Sequence, residues 1–315
     1  DKPLFAITES QEDLKAVHQM AQAKAKTPFK EKPFFVNYAE PISPLVNPDS
    51  SVRKVRYCAE KEIPLLYSPF LAMGATAPQD KATAVSQAVA ESLFGLVLQQ
   101  QINPGSSFVL GGMPSLMDME TANFSYGAPE LQVMSSAIAE LGHHLGLPVF
   151  GTAGTGDSNL FDGQAVLEAL SSAYMATLSG ANLIHDVGLF GSAKILIPEM
   201  IVAMDEIIDL LRNTVSGVGA MEDLEIGLLE EVGPGGEFVS HSHTLDNFKS
   251  SWYPRFLDRT PFNNESFETV KSFFERTNEY VIDFYDSDEG TPALGRDTQE
   301  DLELIQSKFA SKKSV

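Results

Sequence analysis

The feature that most constrains this chain is a rhythm. Six apolar, β-prone stretches recur, at Pro3–Ile7, Pro33–Tyr38, Pro64–Ser68, Ser107–Gly111, Leu147–Gly151 and Ala181–Gly188. Their starts lie about 30 to 43 residues apart, and the gaps hold segments with helical spacing. Parallel strands need a connection of a dozen or more residues, usually a helix, so this alternation predicts parallel βα units. Short central strands such as Asn182–Val187 suit a barrel and a doubly wound sheet equally. The spacings are too long or too irregular for a solenoid, and no residue-level repeat accompanies them.

Capping chemistry places the helices. Ser10 with Asp13 predicts a capping box opening Gln11–Lys26. Asp49 or Ser50 caps a helix running to Lys61, and Pro78 suits the start of Gln79–Gln101. Pro129 opens Glu130–Leu145, which Gly146 stops; Gly163–Ser179 and Leu196–Val215 follow. After Gly233-Pro234-Gly235-Gly236 the chain turns loop-rich, with helices near Phe267–Asp283 and Thr298–Phe309 and a frayed tail at Lys312–Val315. The expected organisation is an α/β body over residues 1–232 with a loop-rich, helical C-terminal appendage over 233–315 packed on it.

Charge and composition narrow the function classes. Lys plus Arg number 22 against 43 Asp plus Glu, a net charge of −21 that repels phosphate backbones and argues against nucleic-acid binding. At 43% hydrophobic the chain can bury a sizeable core. Cys58 stands alone, which excludes an internal disulfide framework and a Cys-rich zinc site. No uncharged apolar run approaches the roughly 20 residues that span a bilayer, and no signal-like segment opens the chain. A soluble, cytoplasmic protein is expected, and the start at Asp1 reads as a piece of something longer.

In a parallel α/β body, chemistry gathers where strands end and helix N-termini converge. The loops there run Glu40-Pro41-Ile42-Ser43-Pro44-Leu45, Ser68 to Pro78, Phe124-Ser125-Tyr126-Gly127-Ala128-Pro129-Glu130 and Gly151 to Ser158, with His185-Asp186 ending the sixth strand. Gly151, Gly154 and Gly156 could cradle a phosphate, but their spacing is not G-x-G-x-x-G and reads as a tight turn. His185-Asp186 is an active-site pair or a structurally satisfied histidine. His241 and His243 could share a metal, though no third ligand lies nearby in sequence, and no metal site is assigned. His143-His144 suits a helix C-terminus. The eight acids among Asp205–Glu231, opposed by Arg212, read as a solvated face. No nucleophile elbow, P-loop or H-E-x-x-H is present, and no strand-end lysine favours an aldolase, Lys194 lying beyond the sixth strand.

These loops, taken in order, carry a resemblance. Glu40–Leu45, Met73–Pro78, Phe124–Glu130, Asp162-Gly163-Gln164-Ala165, Gly180–His185, Glu231–Gly236, His243-Thr244-Leu245 and Asp258-Arg259 are similar in sequence and spacing to motifs of the trimethylamine methyltransferase superfamily. The resemblance implies a TIM-type (β/α) barrel that moves a methyl group from an amine to the cobalt of a corrinoid (cobalamin-type) carried by a separate small protein. Two departures matter. Six recognisable strands fall short of the eight of a closed barrel, so either the copy is incomplete at its N-terminus or further strands come from irregular segments or a partner. The position where trimethylamine-specific members carry pyrrolysine falls at Thr155, which has no electrophilic imine.

The resemblance therefore points to the non-pyrrolysine, glycine-betaine type. A quaternary ammonium already carries the charge that makes its nitrogen a good leaving group, so position and desolvation are what the protein must supply. Phe70, Phe124 and Tyr126 are cage candidates, Glu40, Asp157 and Asp186 charge-balancing ones, and His185 a donor for a substrate carboxylate. His185, Thr155 and Asp157 are expected to position the transfer, and His243 joins the substrate contacts. The rival expectation is a truncated member that binds quaternary amines without turnover. Self-association is left open.

Overall fold

The structure, a computed structural model, describes residues 4–25, 28–29, 31–220, 224–262, 269–287 and 294–310. Contacts divide the chain into a first unit, residues 1–196 with 287–315, and a second, residues 197–286. In the first unit the six expected strands are β1 (Leu4–Ile7), β2 (Phe35–Ala39), β3 (Leu65–Tyr67), β5 (Phe108–Leu110), β7 (Phe150–Thr152) and β8 (Leu183–His185). The first four pair in parallel in chain order. A parallel bridge from Leu110 to Val149 carries the order on to β7, which pairs in parallel with β8.

Between the strands run α1 (Gln11–Lys24), α2 (Asp49–Lys61), α3 (Lys81–Ile102), α4 (Pro129–His144) and α5 (Gly163–Ser179). Each packs against the next. A doubly wound sheet reverses its strand order and carries helices on both faces. Here the order follows the chain without reversal, so the sheet is singly wound.

Alternation along the strands separates two layers. Phe35, Leu65, Tyr67, Phe108 and Leu110 point to the helices, where they join Leu14, Val55, Cys58, Ala88 and Ile138 in the main core. Val36, Tyr38, Leu66, Val109 and Phe150 point the other way and form a second cluster with Phe5 and Leu183. In a flat sheet β1 and β8 would stand about 24 Å apart, five strand spacings. Instead the ring of Phe5 lies 5.6 Å from Phe150 and 6.1 Å from His185. The sheet is therefore curled around its inner cluster.

Two further strands follow breaks at Ser68-Pro69 and Gly111-Gly112. β4 (Phe70–Met73) and β6 (Met113–Leu116) pair in parallel, Phe70 opposite Met113, at the offset of 43 residues that sets Leu65 opposite Phe108. They continue β3 and β5 past the sheet. A small antiparallel pair, β9 (Leu189–Phe190) and β10 (Ile195–Leu196), follows β8.

Helix starts agree with the sequence where side chains cap and shift where they do not. The Ser10–Asp13 box is present, and α5 is bounded by Asp162, which accepts from the amides of Gln164 and Ala165, and by left-handed Gly180. Pro48, with no side-chain cap, precedes α2; Asp49 lies in its first turn and accepts from Arg53 instead. α3 begins after Asp80, which caps Thr83, rather than directly after Pro78.

In the second unit α6 (Pro198–Val215) packs against α9 (Phe273–Asp286), with α7 (Ile226–Val232) and α8 (Ser242–Asn247) between them in sequence. The expected start of the later helix at Phe267 lies outside the described residues. The acidic run is solvated at Asp205, Glu225 and Glu231, but not at Glu206. Glu206 is buried and accepts from the amides of Arg255, Phe256 and Leu257, while Asp205 pairs with Arg255 and Asp209 accepts from the Trp252 indole. The final helix, α10 (Arg296–Ala310), packs on α1 in the first unit; the expected frayed tail lies outside the described residues. No described helix is long and apolar enough to cross a membrane.

One buried histidine links this packing to pH. His18 of α1 is buried, with Nδ1 3.1 Å from the Tyr57 hydroxyl and its ring edge-on to Phe29. Burial, and then the charge of Lys61, hold its pKa below the ordinary value. The unfolded chain thus takes up this proton first as pH falls, so the contribution is complete above about pH 6.5 and is lost below it. Stability of the native protein against urea should fall between pH 7 and 5, with at most about 1.4 kcal/mol per pH unit from this residue. The curve for His18→Gln should be flatter over that window; equal slopes would disprove the assignment.

Candidate active site

The inner cluster ends in a mouth at the C-terminal ends of the strands. Tyr38, near the end of β2, donates from its hydroxyl to Glu40 Oε2 at 3.1 Å and to the Ser68 carbonyl at 3.3 Å. The loop after β2 is held from α3 by Glu91, a buried carboxylate that accepts from the Ser43 hydroxyl, the Leu45 amide and the Gln87 side chain. Lys54 donates to the Thr8 carbonyl at 2.7 Å, and its ammonium is coupled to the Glu40 carboxylate.

An aromatic wall stands on the strand extensions. The rings of Phe70 and Phe124 lie 4.1 Å apart and tilted, and Phe124 meets Tyr126 edge-on at 5.0 Å. An antiparallel bridge between Met117 and Phe124 folds this loop back on the end of β6. Tyr126 packs on the inner cluster beside Tyr38 and Phe150. All three cage candidates are thus neighbours, with Phe70 39% exposed and able to meet a ligand.

Asp157 fixes the loop that carries Tyr126. Its carboxylate accepts from the Ser125 hydroxyl and from the amides of Tyr126 and Gly127, at 2.8 and 3.0 Å, and from the Ser192 hydroxyl at 2.9 Å. Beneath it lies Glu168 of α5, which the sequence reading did not single out. Glu168 Oε2 accepts from the amides of Asp157 and Ser158, at 2.7 and 3.2 Å, while Oε1 accepts from Gln164 at 2.8 Å. The sequence carries one sign of this: Gly127 and Gly156 both sit where a Cβ would strike the Glu168 side chain. Close approach to a carboxylate, rather than a phosphate cradle, accounts for Gly156; Gly154 takes a left-handed turn at φ +73°.

His185 and Asp186 close the other side. His185 packs on Phe150 at 5.4 Å, and its Nδ1 lies 2.6 Å from Asp186 Oδ1. The ring N–H is not aligned with that contact, so Nδ1 is buried without a well-formed hydrogen bond. Asp186 is buried in the left-handed region, at φ 68°, which Asp tolerates better than most residues. Backbone bonds from Ala153 to His185, Gly188 to Gly154, Gly191 to Ser158 and Ser192 to Gly156 stitch this loop to the one bearing Thr155 and Asp157.

Seven candidates therefore lie near one another at the strand ends: Glu40, Phe70, Phe124, Tyr126, Asp157, His185 and Asp186. Thr155 lies in the same loop, wholly buried, its hydroxyl without a partner among the described residues. His243 belongs to the second unit, where its ring faces Glu225 while that of His241 faces Glu231. No group of three or more potential metal ligands occurs among the described residues.

The field in the mouth is negative. Burial, and then the carboxylates Asp186, Asp157 and Glu40, push the Tyr126 phenol far above its ordinary value. Burial and Glu40 do the same to Tyr38, with Asp186 adding to the effect. Both phenols stay protonated at any physiological pH and offer neutral ring faces beside anionic groups. Such a setting favours a small cation.

Strand-end mouths on singly wound parallel sheets are where enzymes of this architecture work, and comparison with protein families makes the class specific. The family model described as trimethylamine methyltransferase (MTTB) matches residues 1–313, and the chain belongs to that family. It is 30% identical over 265 residues to the glycine betaine methyltransferase of Desulfitobacterium hafniense (strain Y51), covering 82% of this chain and 55% of that protein. It is 26% identical to a trimethylamine methyltransferase MttB of D. hafniense (strain DSM 10664 / DCB-2), covering 89% and 57%, and 27% identical to one from Methanosarcina thermophila, covering 81% and 53%. The chain spans about half the length of the relatives it matches.

The Asp157 clamp gives a measurable expectation. Asp157→Asn replaces one acceptor oxygen by an amide that faces N–H and O–H donors, leaving buried groups unpaired. It should lower unfolding stability by about 1–3 kcal/mol in urea with an unchanged slope. A loss within error of zero would show that the clamp does not hold the loop.

Proposed function

We propose that this chain is the catalytic body of a methyltransferase that takes a methyl group from a quaternary amine, glycine betaine or a close analogue, and passes it to a corrinoid on a small partner protein. The observation that carries the reading is the union of three aromatic rings, Phe70, Phe124 and Tyr126, with the carboxylates Glu40 and Asp186 in one negative mouth. Similarity to a glycine betaine methyltransferase supports the substrate class. Threonine at position 155 supports a substrate that needs no covalent activation. The body is read as a TIM-type barrel. Its chain-order strands, its helices each packed on the next, and the reach of Phe5 to Phe150 and His185 support that fold.

The residues divide the work. Phe70, Phe124 and Tyr126 hold the trimethylammonium head by their ring faces, each contact contributing about 0.5–2 kcal/mol. Glu40 and Asp186 compensate its charge without bonding to it. His185, beside Asp186, is placed to donate to a substrate carboxylate. The reduced corrinoid supplies the electron pair for the new bond to carbon. As the C–N bond breaks, nitrogen keeps its pair and departs as a neutral tertiary amine, so no protein acid is called for. A cage tight around the cation desolvates the methyl group and limits its approach to one line.

The test is methyl transfer in the presence of a reduced corrinoid protein, with the tertiary amine followed by mass spectrometry across quaternary, tertiary and secondary amines. Only quaternary donors should yield product. Binding of a quaternary amine without any product would favour the non-catalytic reading instead. Phe124→Ala removes one ring face and the partner of Phe70, and should raise KM about 2- to 30-fold with a smaller effect on kcat. An unchanged KM would remove the cage.

A further inference from the structure

We propose that Glu168 is a positioning residue that sets the geometry of the mouth from beneath, a role that rests on the reading of the mouth as an amine site. Its carboxylate touches three pieces of the site's scaffold. One oxygen gathers the amides of Asp157 and Ser158, the other is held by Gln164 one helical turn away, and the whole group lies against Gly127 and Gly156. Asp157, pinned in this way, accepts from Ser125, Tyr126 and Gly127 on one loop and from Ser192 on another. The chain of contacts runs from Glu168 to Asp157, and from there to the Tyr126 backbone amide and the segment that follows His185-Asp186. A single helical side chain thus reaches both walls of the mouth through Asp157, in addition to the backbone bonds and the Met117–Phe124 bridge that hold these loops.

The glycines make this testable. Neither Gly127 nor Gly156 has a left-handed backbone, so a side chain there is excluded by contact alone. At position 127 a Cβ would come within 2.7 Å of Glu168 Cδ, and at 156 it would overlap Glu168 Oε2. Gly156→Ala therefore displaces the carboxylate while leaving it in the protein. Glu168→Gln keeps an oxygen for the Asp157 and Ser158 amides, and its new amide is met by Gln164 after that side chain turns its oxygen inward.

The experiment uses the full chain with two readouts: hydrogen exchange without ligand, and calorimetric binding of tetramethylammonium. Glu168→Ala and Gly156→Ala should each speed exchange about tenfold at the amides of Tyr126, Gly127, Asp157 and Ser158, with α1 and α2 unchanged. Each should weaken tetramethylammonium about tenfold, the double variant should be no worse than either single one, and Glu168→Gln should restore both readouts to within about threefold of the native protein. Exchange unaltered at those amides, or single effects that multiply in the double variant, would overturn the proposal. If the native protein binds no quaternary amine, the amine reading fails, while exchange still decides the role of Glu168. Should Glu168→Ala not fold, Gly156→Ala reads the same contact.

Discussion

The contact on which the rest depends is Phe5 reaching across the inside of the sheet to Phe150 and His185. Strands in a parallel sheet are held sideways by hydrogen bonds, which fix spacing but not curvature. Curvature follows when inward side chains are apolar and large enough to exclude water from one face while helices cover the other. Phe5, Val36, Tyr38, Leu66, Val109 and Phe150 supply that inner filling. The mouth lies where the filling stops, with Tyr38 and His185 as its last layer and Tyr126 packed beside it from a loop.

Carboxylates do two different jobs in this protein, and burial separates them. Glu91, Glu168, Asp157 and Glu206 spend their oxygens on amides and hydroxyls of neighbouring loops. An ionised oxygen is a strong acceptor, so one such residue on a helix can order several residues of irregular chain. Glu40 and Asp186 instead stand beside phenols, with Glu40 also coupled to the Lys54 ammonium and Asp186 against His185; on the proposed reading what remains of their charge faces the mouth. Part of the chain's large negative charge is therefore structural mortar, and part is a field. Composition alone could not divide the two, and it led Glu206, which is buried, to be read with its exposed neighbours as a solvated face.

What was legible in the sequence was whatever local chemistry decides. The apolar, β-prone stretches and helical spacings located six strands and their helices, and Ser10, Asp13 and Gly146 fixed helix ends by capping and by backbone freedom. The 124–127 loop stood out as an aromatic, glycine-containing strand-end loop, and the resemblance is what made Phe124 and Tyr126 cage candidates. What was not legible came from distant partners. Phe70–Met73 and Met113–Leu116 look like loop until each supplies the other's hydrogen bonds. Glu168 looks like any helix-surface acid, since its partners lie 10 or more residues away in sequence. The pairing of Asp205 and Glu206 with a turn some 50 residues later is hidden for the same reason.

Threonine at position 155 gains meaning from this arrangement. A free amine must be activated before its methyl group can leave, which calls for an electrophile on the protein and room to form a bond to it. Here the position is wholly buried and filled by a small side chain, in a loop locked by Glu168 below and by backbone bonds to the 185–192 segment beside it. Threonine offers no electrophile for covalent chemistry. On the proposed reading the activation has moved from protein to substrate: the fourth alkyl group on nitrogen does what an adduct would otherwise do, and the protein is left with the geometric task. A rigid cage suits that task, because an in-line displacement loses rate steeply with misalignment while asking nothing of the protein in proton transfer.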